Sequence, residues 1–372
     1  MFESKRFFFL WAIAMTMGMV GCASGDRASE TTDPTATTSA TTPATTSDLP
    51  EVVVSSSILC DLTEQIAGDR IALTCLMERD QDPHAYQTTP SDRQAMETAE
   101  LILYDGYRLV PSIEELVEAI DSPAPKVAVY EAAVPEPILT EHHHHHGEGE
   151  HDEGEHDEGE HDEGEHHEGE HHEGEHDEEK EARGEELEPD PHVWHDVSNG
   201  MAVVEEIESQ LAQVNPEQAP FYAENAQQVK AQLEALDTWV KEQVATIPPE
   251  QRTLVTAHDA FGYYIQAYGF EDSTALQGLS TDEQPTAAQV RELVEKIEAA
   301  QVPTIFAEVT TGDRVIETVA REAGIEVAEQ KLYTGGLGPE GGDAQTYVGS
   351  IATNTCTIVN GLGGECTPFP SP

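Results

Sequence analysis

Four histidines stand apart from an otherwise crowded histidine tract: His84, His192, His195 and His258. Their settings suit metal ligation. His84 sits in Asp82-Pro83-His84-Ala85-Tyr86, His192 in Asp190-Pro191-His192-Val193-Trp194, and His258 in Thr256-Ala257-His258-Asp259-Ala260. A proline before a ligand narrows the backbone angles and so the directions in which the imidazole can point. Zinc takes about four ligands, from neutral imidazole, thiolate or carboxylate, arranged as a tetrahedron. Asp343, in the Gly-rich run Gly341-Gly342-Asp343-Ala344-Gln345-Thr346-Tyr347, is the candidate fourth ligand. One loop histidine is more often structural than ligating. Two Asp-Pro-His turns and a third histidine at the end of an apolar run point to one shared Zn²⁺. The chemistry expected is binding without turnover, hence no enzyme. The rival is a zinc hydrolase, but no helix carrying His-Glu-x-x-His is expected and Asp343 would close the site.

Ligands so far apart must come from loops at strand ends, and the chain supplies such loops. Apolar strands are expected at Glu51–Ile58, Ile71–Met77, Leu101–Tyr104 and Lys126–Tyr130, with helices at Cys60–Ala67, Pro90–Thr98 and Ile113–Ile120 between or after them. This βαβα alternation predicts a parallel sheet covered by helices. A helix over Asn199–Val214 ends at Asn215-Pro216. Another runs to Ile247, with apolar positions at Phe221, Val229, Leu233, Leu236, Trp239, Val240 and Val244, and stops at Pro248-Pro249. Alternation then resumes, with strands at Thr253–Thr256, Thr304–Ala307 and Ile325–Ala328 and helices at Ala260–Tyr268, Thr286–Ala300 and Arg314–Ala323. The fold class is therefore α/β, with two units flanking one long helix: either two unrelated domains, or two lobes, each with a mainly parallel sheet, joined by one long rigid helix with the metal in the cleft between them. The expected divisions are an N-terminal lobe over 49–215, a linking helix over 216–247 and a C-terminal lobe over 248–372.

The charge is extreme and unevenly spread. The 372 residues hold 73 Asp and Glu against 18 Lys and Arg, a formal net charge of −55. No basic surface is available to neutralise phosphates, which argues against a nucleic-acid partner. Between Glu141 and Asp190 lie 24 acidic residues, two basic ones (Lys180 and Arg183) and 13 of the 17 histidines. Five consecutive histidines, His142, His143, His144, His145 and His146, open the tract. His-Asp-Glu-Gly-Glu follows three times and His-His-Glu-Gly-Glu twice, placing His151, His156, His161, His166, His167, His171, His172 and His176. Ala182 is the only apolar side chain from Glu141 to Glu186, so no core can form there and a disordered loop over 141–188 is expected. Histidines among carboxylates make this loop a candidate low-affinity zinc collector. A solvated acidic spacer is the plainer alternative.

The first residues read as an export signal. Lys5 and Arg6 precede an apolar run from Phe7 to Val20, too short to span a bilayer securely. The run ends at Val20-Gly21-Cys22, which resembles a bacterial lipoprotein box. That resemblance implies a signal peptide over 1–21, lipidation of Cys22 and a membrane contact through the lipid alone. Residues 22–48, rich in Thr, Ser, Ala and Pro, form the expected disordered tether. Four cysteines remain, an even count that favours disulfides outside the cytosol. Three pairings are possible. The shortest loops are Cys60–Cys75 and Cys356–Cys366.

The motifs together resemble those of the metal-binding components of bacterial ABC importers, specifically the zinc-binding ZnuA type within the ZnuA/TroA/PsaA group. The resemblance covers about Glu51 to Gly361. It rests on Asp-Pro-His-Ala-Tyr with Pro90-Ser91-Asp92, on Asp-Pro-His-Val-Trp, on Ala-His-Asp-Ala-Phe-Gly-Tyr-Tyr, on Ile305-Phe306-Ala307-Glu308 and on Gly-Asp-Ala-Gln-Thr-Tyr. An acidic His-rich insertion before the second ligand motif is typical of the zinc members. The resemblance implies ligation by His84, His192 and His258, with Asp343 or water fourth and Glu308 in a supporting role. It also implies an extracytoplasmic, lipid-anchored monomer, in the periplasm or on the outer face of the cytoplasmic membrane, delivering Zn²⁺ to a permease and its ATPase. The chain departs from the group at His195-Asp196-Val197, where an apolar residue before Asp-Pro is usual. His195 is therefore an alternative ligand, a support for one, or a polar loop residue. Manganese-binding relatives carry a Glu where this chain has His258, and three imidazoles suit Zn²⁺ better than Mn²⁺. A manganese-importer subunit and a surface adhesin are the alternatives. Ligating imidazoles must be neutral, so affinity is expected to fall as pH drops through roughly 6.5.

Overall fold

The computed structural model describes residues 49–141, 187–281 and 285–370. The export signal, Cys22, the tether and the thirteen loop histidines lie outside those residues.

The first lobe is a parallel sheet in the order β2-β1-β3-β4, built from β1 (Glu51–Val54), β2 (Ala72–Cys75), β3 (Leu101–Tyr104) and β4 (Lys126–Ala128). Val52, Val53 and Val54 of β1 pair with Leu101, Ile102 and Leu103 of β3 and are all buried, as a central strand covered on both faces requires. The covering helices are α1 (Ser57–Ala67), α2 (Pro90–Thr98), α3 (Pro111–Ala119) and a short α4 (Val129–Ala133). Helix α1 begins three residues before the predicted start because Ser56 caps it, its hydroxyl accepting from the Leu59 N–H. Helix α2 carries a capping box in which Thr89 and Asp92 satisfy each other's backbone amides. The predicted strand to Tyr130 ends at Ala128, and Val129 and Tyr130 already belong to α4. Their apolar side chains satisfy either a strand or a helix, and Tyr130 is buried against Trp194 in the helical form.

Two strands in this part of the chain went unpredicted. β5 (Leu139–Glu141) and β6 (Leu187–Pro189) form an antiparallel pair that closes the base of the acidic insertion. Helix α5 (Val197–Val214) follows, and then α6 (Ala219–Val244), whose 26 residues span about 39 Å at the α-helical rise. Residues 216–218 form a separate 3₁₀ turn before α6. Helix α6 buries Val229, Leu233, Leu236, Trp239, Val240 and Val244 as periodicity predicts, but near its start it buries Tyr222, which was not predicted, and leaves Phe221 half-buried. It packs against α1, α5 and the last helix, α10 (Tyr347–Gly361), so it belongs to the cores of both lobes.

The second lobe contains β7 (Thr253–His258), α7 (Gly262–Tyr268), β8 (Asp272–Gln277), α8 (Ala287–Ala300), β9 (Thr304–Ile305), α9 (Asp313–Ala323) and β10 (Glu326–Val327). β7 pairs in parallel with β8, and β9 with β10. The Phe306 N–H donates to the Val255 carbonyl at 2.9 Å and ties the two pairs together. β8 was missed because its sequence, Asp-Ser-Thr-Ala-Leu-Gln, has almost no apolar alternation; its pairing with β7 and packing under α8 make it a strand. Disulfides join Cys60 to Cys75 and Cys356 to Cys366, with Cα separations of 5.8 and 5.2 Å. No helix among the described residues is long and apolar enough to cross a membrane.

Candidate metal centre

Each of the three predicted ligands sits where a strand or turn ends in the cleft. His84 lies in the turn after β2, where its N–H donates to Asp82 Oδ1 at 3.1 Å. His192 follows β6, and its N–H donates to Asp190 Oδ1 at 2.9 Å. His258 is the last residue of β7. The same side-chain-to-backbone clasp therefore recurs in both Asp-Pro-His turns: the Asp two residues before each histidine caps its amide and holds the turn.

The three imidazoles converge. One ligand nitrogen from each lies within 4.8 Å of the others, and all three residues are buried. The ring centroids of His84 and His192 are 5.3 Å apart, those of His84 and His258 5.7 Å, and those of His192 and His258 5.3 Å. His84 Nε2 lies 3.2 Å from His192 Nε2. Two nitrogens on a tetrahedral zinc with bonds of about 2.0–2.1 Å stand roughly 3.3 Å apart. The spacing thus fits a shared ion.

The outer nitrogens are held by carboxylates. Asp190 Oδ1 lies 2.9 Å from His192 Nδ1. Glu308 Oε2 makes a close contact to His258 Nδ1, while its Oε1 accepts the N–H groups of Ala257 and His258, each at 2.9 Å. Thr334 Oγ1 donates to Glu308 Oε2 at 3.1 Å. Each carboxylate fixes a proton on Nδ1 and turns Nε2 toward the centre, the arrangement common to metal-ligating histidines. His258 Nε2 is left buried with no hydrogen-bond partner. A buried polar nitrogen without a partner costs about 1–3 kcal/mol, which an arriving cation relieves.

Burial sets the charges of the site. It pushes His84 down to about 3, helped by the nearby His258, and pushes His192 well below its ordinary value. Burial also pulls His258 down, but Glu308 outweighs it and the net direction is upward. Burial raises Asp190 to about 8, against the lowering effect of the His192 amide.

Asp343 is not brought to this group. Its side chain is exposed and lines a separate cleft with Gln65, Gln345, Thr346 and Phe369. The chain passes the site earlier, at Thr334–Leu337, where the Leu337 N–H donates to Ser57 Oγ at 3.2 Å, and it then turns away through Gly341 at φ 79°. At Gly335 a Cβ would stand 2.6 Å from Pro83 Cδ, so this backbone passes beside the His84 turn without a side chain. Among the described residues no carboxylate joins the trio. Sequence reasoning also undervalued Asp190. Its recurrence two residues before a histidine was the signal that it caps and orients that ligand.

A family model for the zinc-uptake complex component A, periplasmic, matches residues 52–361. The chain belongs to this family. It is 30% identical over 312 residues to the manganese-binding lipoprotein MntA of Halalkalibacterium halodurans, covering 84% of this chain and 88% of that one. It is 27% identical to the manganese ABC transporter substrate-binding lipoprotein PsaA of Streptococcus pneumoniae, covering 92% and 94%. The fold matches the periplasmic zinc-binding protein TroA of Treponema pallidum with a TM-score of 0.69 and 28% identity, over 84% of this chain and 99% of that one. Family membership makes the chain a metal-binding receptor and accounts for the two-lobed plan, with α6 running between the lobes. It does not choose the metal, since the similar proteins bear both manganese and zinc in their names.

Proposed function

We propose that this protein is the extracytoplasmic receptor of an ABC-type importer and that its cargo is Zn²⁺. The observation that carries the choice of metal is the donor set: three buried imidazoles converge with no carboxylate among them. Manganese, a hard ion, favours carboxylate and water oxygens, whereas imidazole suits zinc. Copper and nickel bind imidazole as well, so cargo follows from availability as much as affinity. Asp190 and Glu308 pre-orient two of the ligands, so the ion meets a site that needs little rearrangement.

Capture and release follow from the same parts. The acidic histidine repeats, tethered by β5 and β6 a few residues before His192, act as a low-affinity collector beside the tight site. Helix α6 is shared by both cores and limits lobe rotation, so release to the permease proceeds through shifts of the ligand turns rather than wide hinge closure. Cys22 carries the lipid anchor and the protein acts as a monomer alongside its permease and ATPase.

The test is metal analysis of protein purified without chelator, followed by competition between zinc and manganese. One tightly held zinc that excess manganese fails to displace is the expected result. Stoichiometric manganese in its place would reverse the assignment. Hydrogen exchange with and without zinc tests the release model: protection should stay within the ligand turns.

A further inference from the structure

Among the described residues one histidine, His195, has no place in the three-imidazole group. It is 1% exposed, and its ring nitrogens make no well-formed hydrogen bond, only a loose approach to the Thr334 backbone. A core position that only needed filling would be served by an apolar ring without that desolvation cost.

Its place in the chain sets it beside the site. Residues 193–195 form a 3₁₀ turn immediately after His192, closed by the His195 N–H donating to the His192 carbonyl at 3.3 Å. With three residues per turn, positions i and i+3 eclipse, so His192 and His195 lie on the same side of this turn. The His195 ring is wedged between Phe261, 4.5 Å away between centroids, and Trp194, 5.3 Å away. Phe261 lies three residues beyond His258. The Thr334 backbone lies against His195, while the Thr334 hydroxyl supports Glu308 and through it His258.

Among the described residues no carboxylate stands with the trio: Asp82 caps the His84 amide and accepts from the Thr281 hydroxyl, and Asp259, whose charge acts on His258, lies outside the group. Gly335 has no room for a side chain, Asp343 faces a different cleft, and Asp190 and Glu308 are occupied by Nδ1 and backbone N–H groups. We propose that His195 is the fourth ligand, swinging on its 3₁₀ turn to complete a four-imidazole site when the ion enters. The inference rests on the receptor reading above and sharpens it. Four neutral nitrogen donors discriminate against Mn²⁺ more strongly than a set containing a carboxylate.

The experiment compares the full-length protein with His195→Phe and His195→Gln, each loaded with one equivalent of zinc so that the tight site fills first. X-ray absorption at the zinc edge counts imidazoles through their outer-shell scattering. The wild type should show four and both variants three. Chelator competition should show zinc weakened more than about 100-fold, beyond the usual cost of losing a group that merely orients a ligand, with manganese affinity changed far less. The metal-free His195→Phe protein should melt no lower than the wild type, since the pocket is already aromatic. Three imidazoles in the wild type, or variants within twofold of its zinc affinity, would overturn the inference and leave the receptor reading standing. A wild type that holds no tight equivalent of any divalent metal would remove the receptor reading and this inference together.

Discussion

Glu308→Gln is the sharpest probe of how the site is held. Glu308 is fully buried, and four donors reach its two oxygens: the amides of Ala257 and His258 on Oε1, and His258 Nδ1 with the Thr334 hydroxyl on Oε2. Glutamine keeps the shape but offers one oxygen and one NH₂. Whichever way the amide turns, its NH₂ faces two donors. A charge-assisted hydrogen bond is worth about 1.5–3 kcal/mol, and at least one is lost. His258 also loses the acceptor that keeps its proton on Nδ1 and its Nε2 free. Loss of such a partner typically costs about 10–100-fold in metal affinity, or roughly 1.4–2.8 kcal/mol. The assay is zinc competition against a chromophoric chelator at neutral pH, with Glu329→Gln, at an exposed position, as control. The metal-free variant should also melt several degrees lower. Zinc affinity within twofold of the wild type would refute the argument that Glu308 orients the ligand.

Further outcomes follow from the same geometry. His258 keeps its proton to higher pH than a free imidazole and Asp190 stays protonated up to about 8, whereas His84, at about 3, is already neutral. Metal entry must therefore displace the second proton of His258, and the ion's charge favours the ionised form of Asp190 behind His192. Affinity should rise from pH 6 to 8 and level off above, a higher window than the sequence-based expectation near 6.5. Calorimetry in buffers of different ionisation enthalpy should give about one to two protons released per ion near pH 7, and none would contradict the charge assignment. His84→Ala should abolish the tight site while leaving weak binding, and deletion of residues 142–186 should do the reverse; loss of both classes in either protein would show that the sites are not separate. Reducing Cys60–Cys75, which closes a 15-residue separation, should destabilise the metal-free protein by up to about 3 kcal/mol, read as a lower melting temperature.

Much of the fold was legible because its signals are local. The strand Val52-Val53-Val54, the helix start at Pro90-Ser91-Asp92 and the apolar stripe of α6 are each encoded by nearby residues. β8 was not legible, since its polar sequence becomes a strand only through pairing with β7. The Val129–Tyr130 step was ambiguous because burial alone does not choose between strand and helix.

The site divides along the same line. The Asp-Pro-His pattern was enough to single out His84 and His192, because a turn that fixes a ligand is written in adjacent residues, and His258 stood out at the end of an apolar run. Chain order also placed them at strand ends, where a parallel α/β fold gathers its loops. Whether a fourth residue joins them was beyond the sequence. Asp343 has a ligand's chemistry, but the loop carrying it turns away after Gly335 has passed the His84 turn, and the exposed carboxylate ends in another cleft. His195 stood open between ligand, support and polar loop residue until the fold buried it beside the trio. Convergence depends on distances between segments far apart in the chain, and only the packed lobes set those distances.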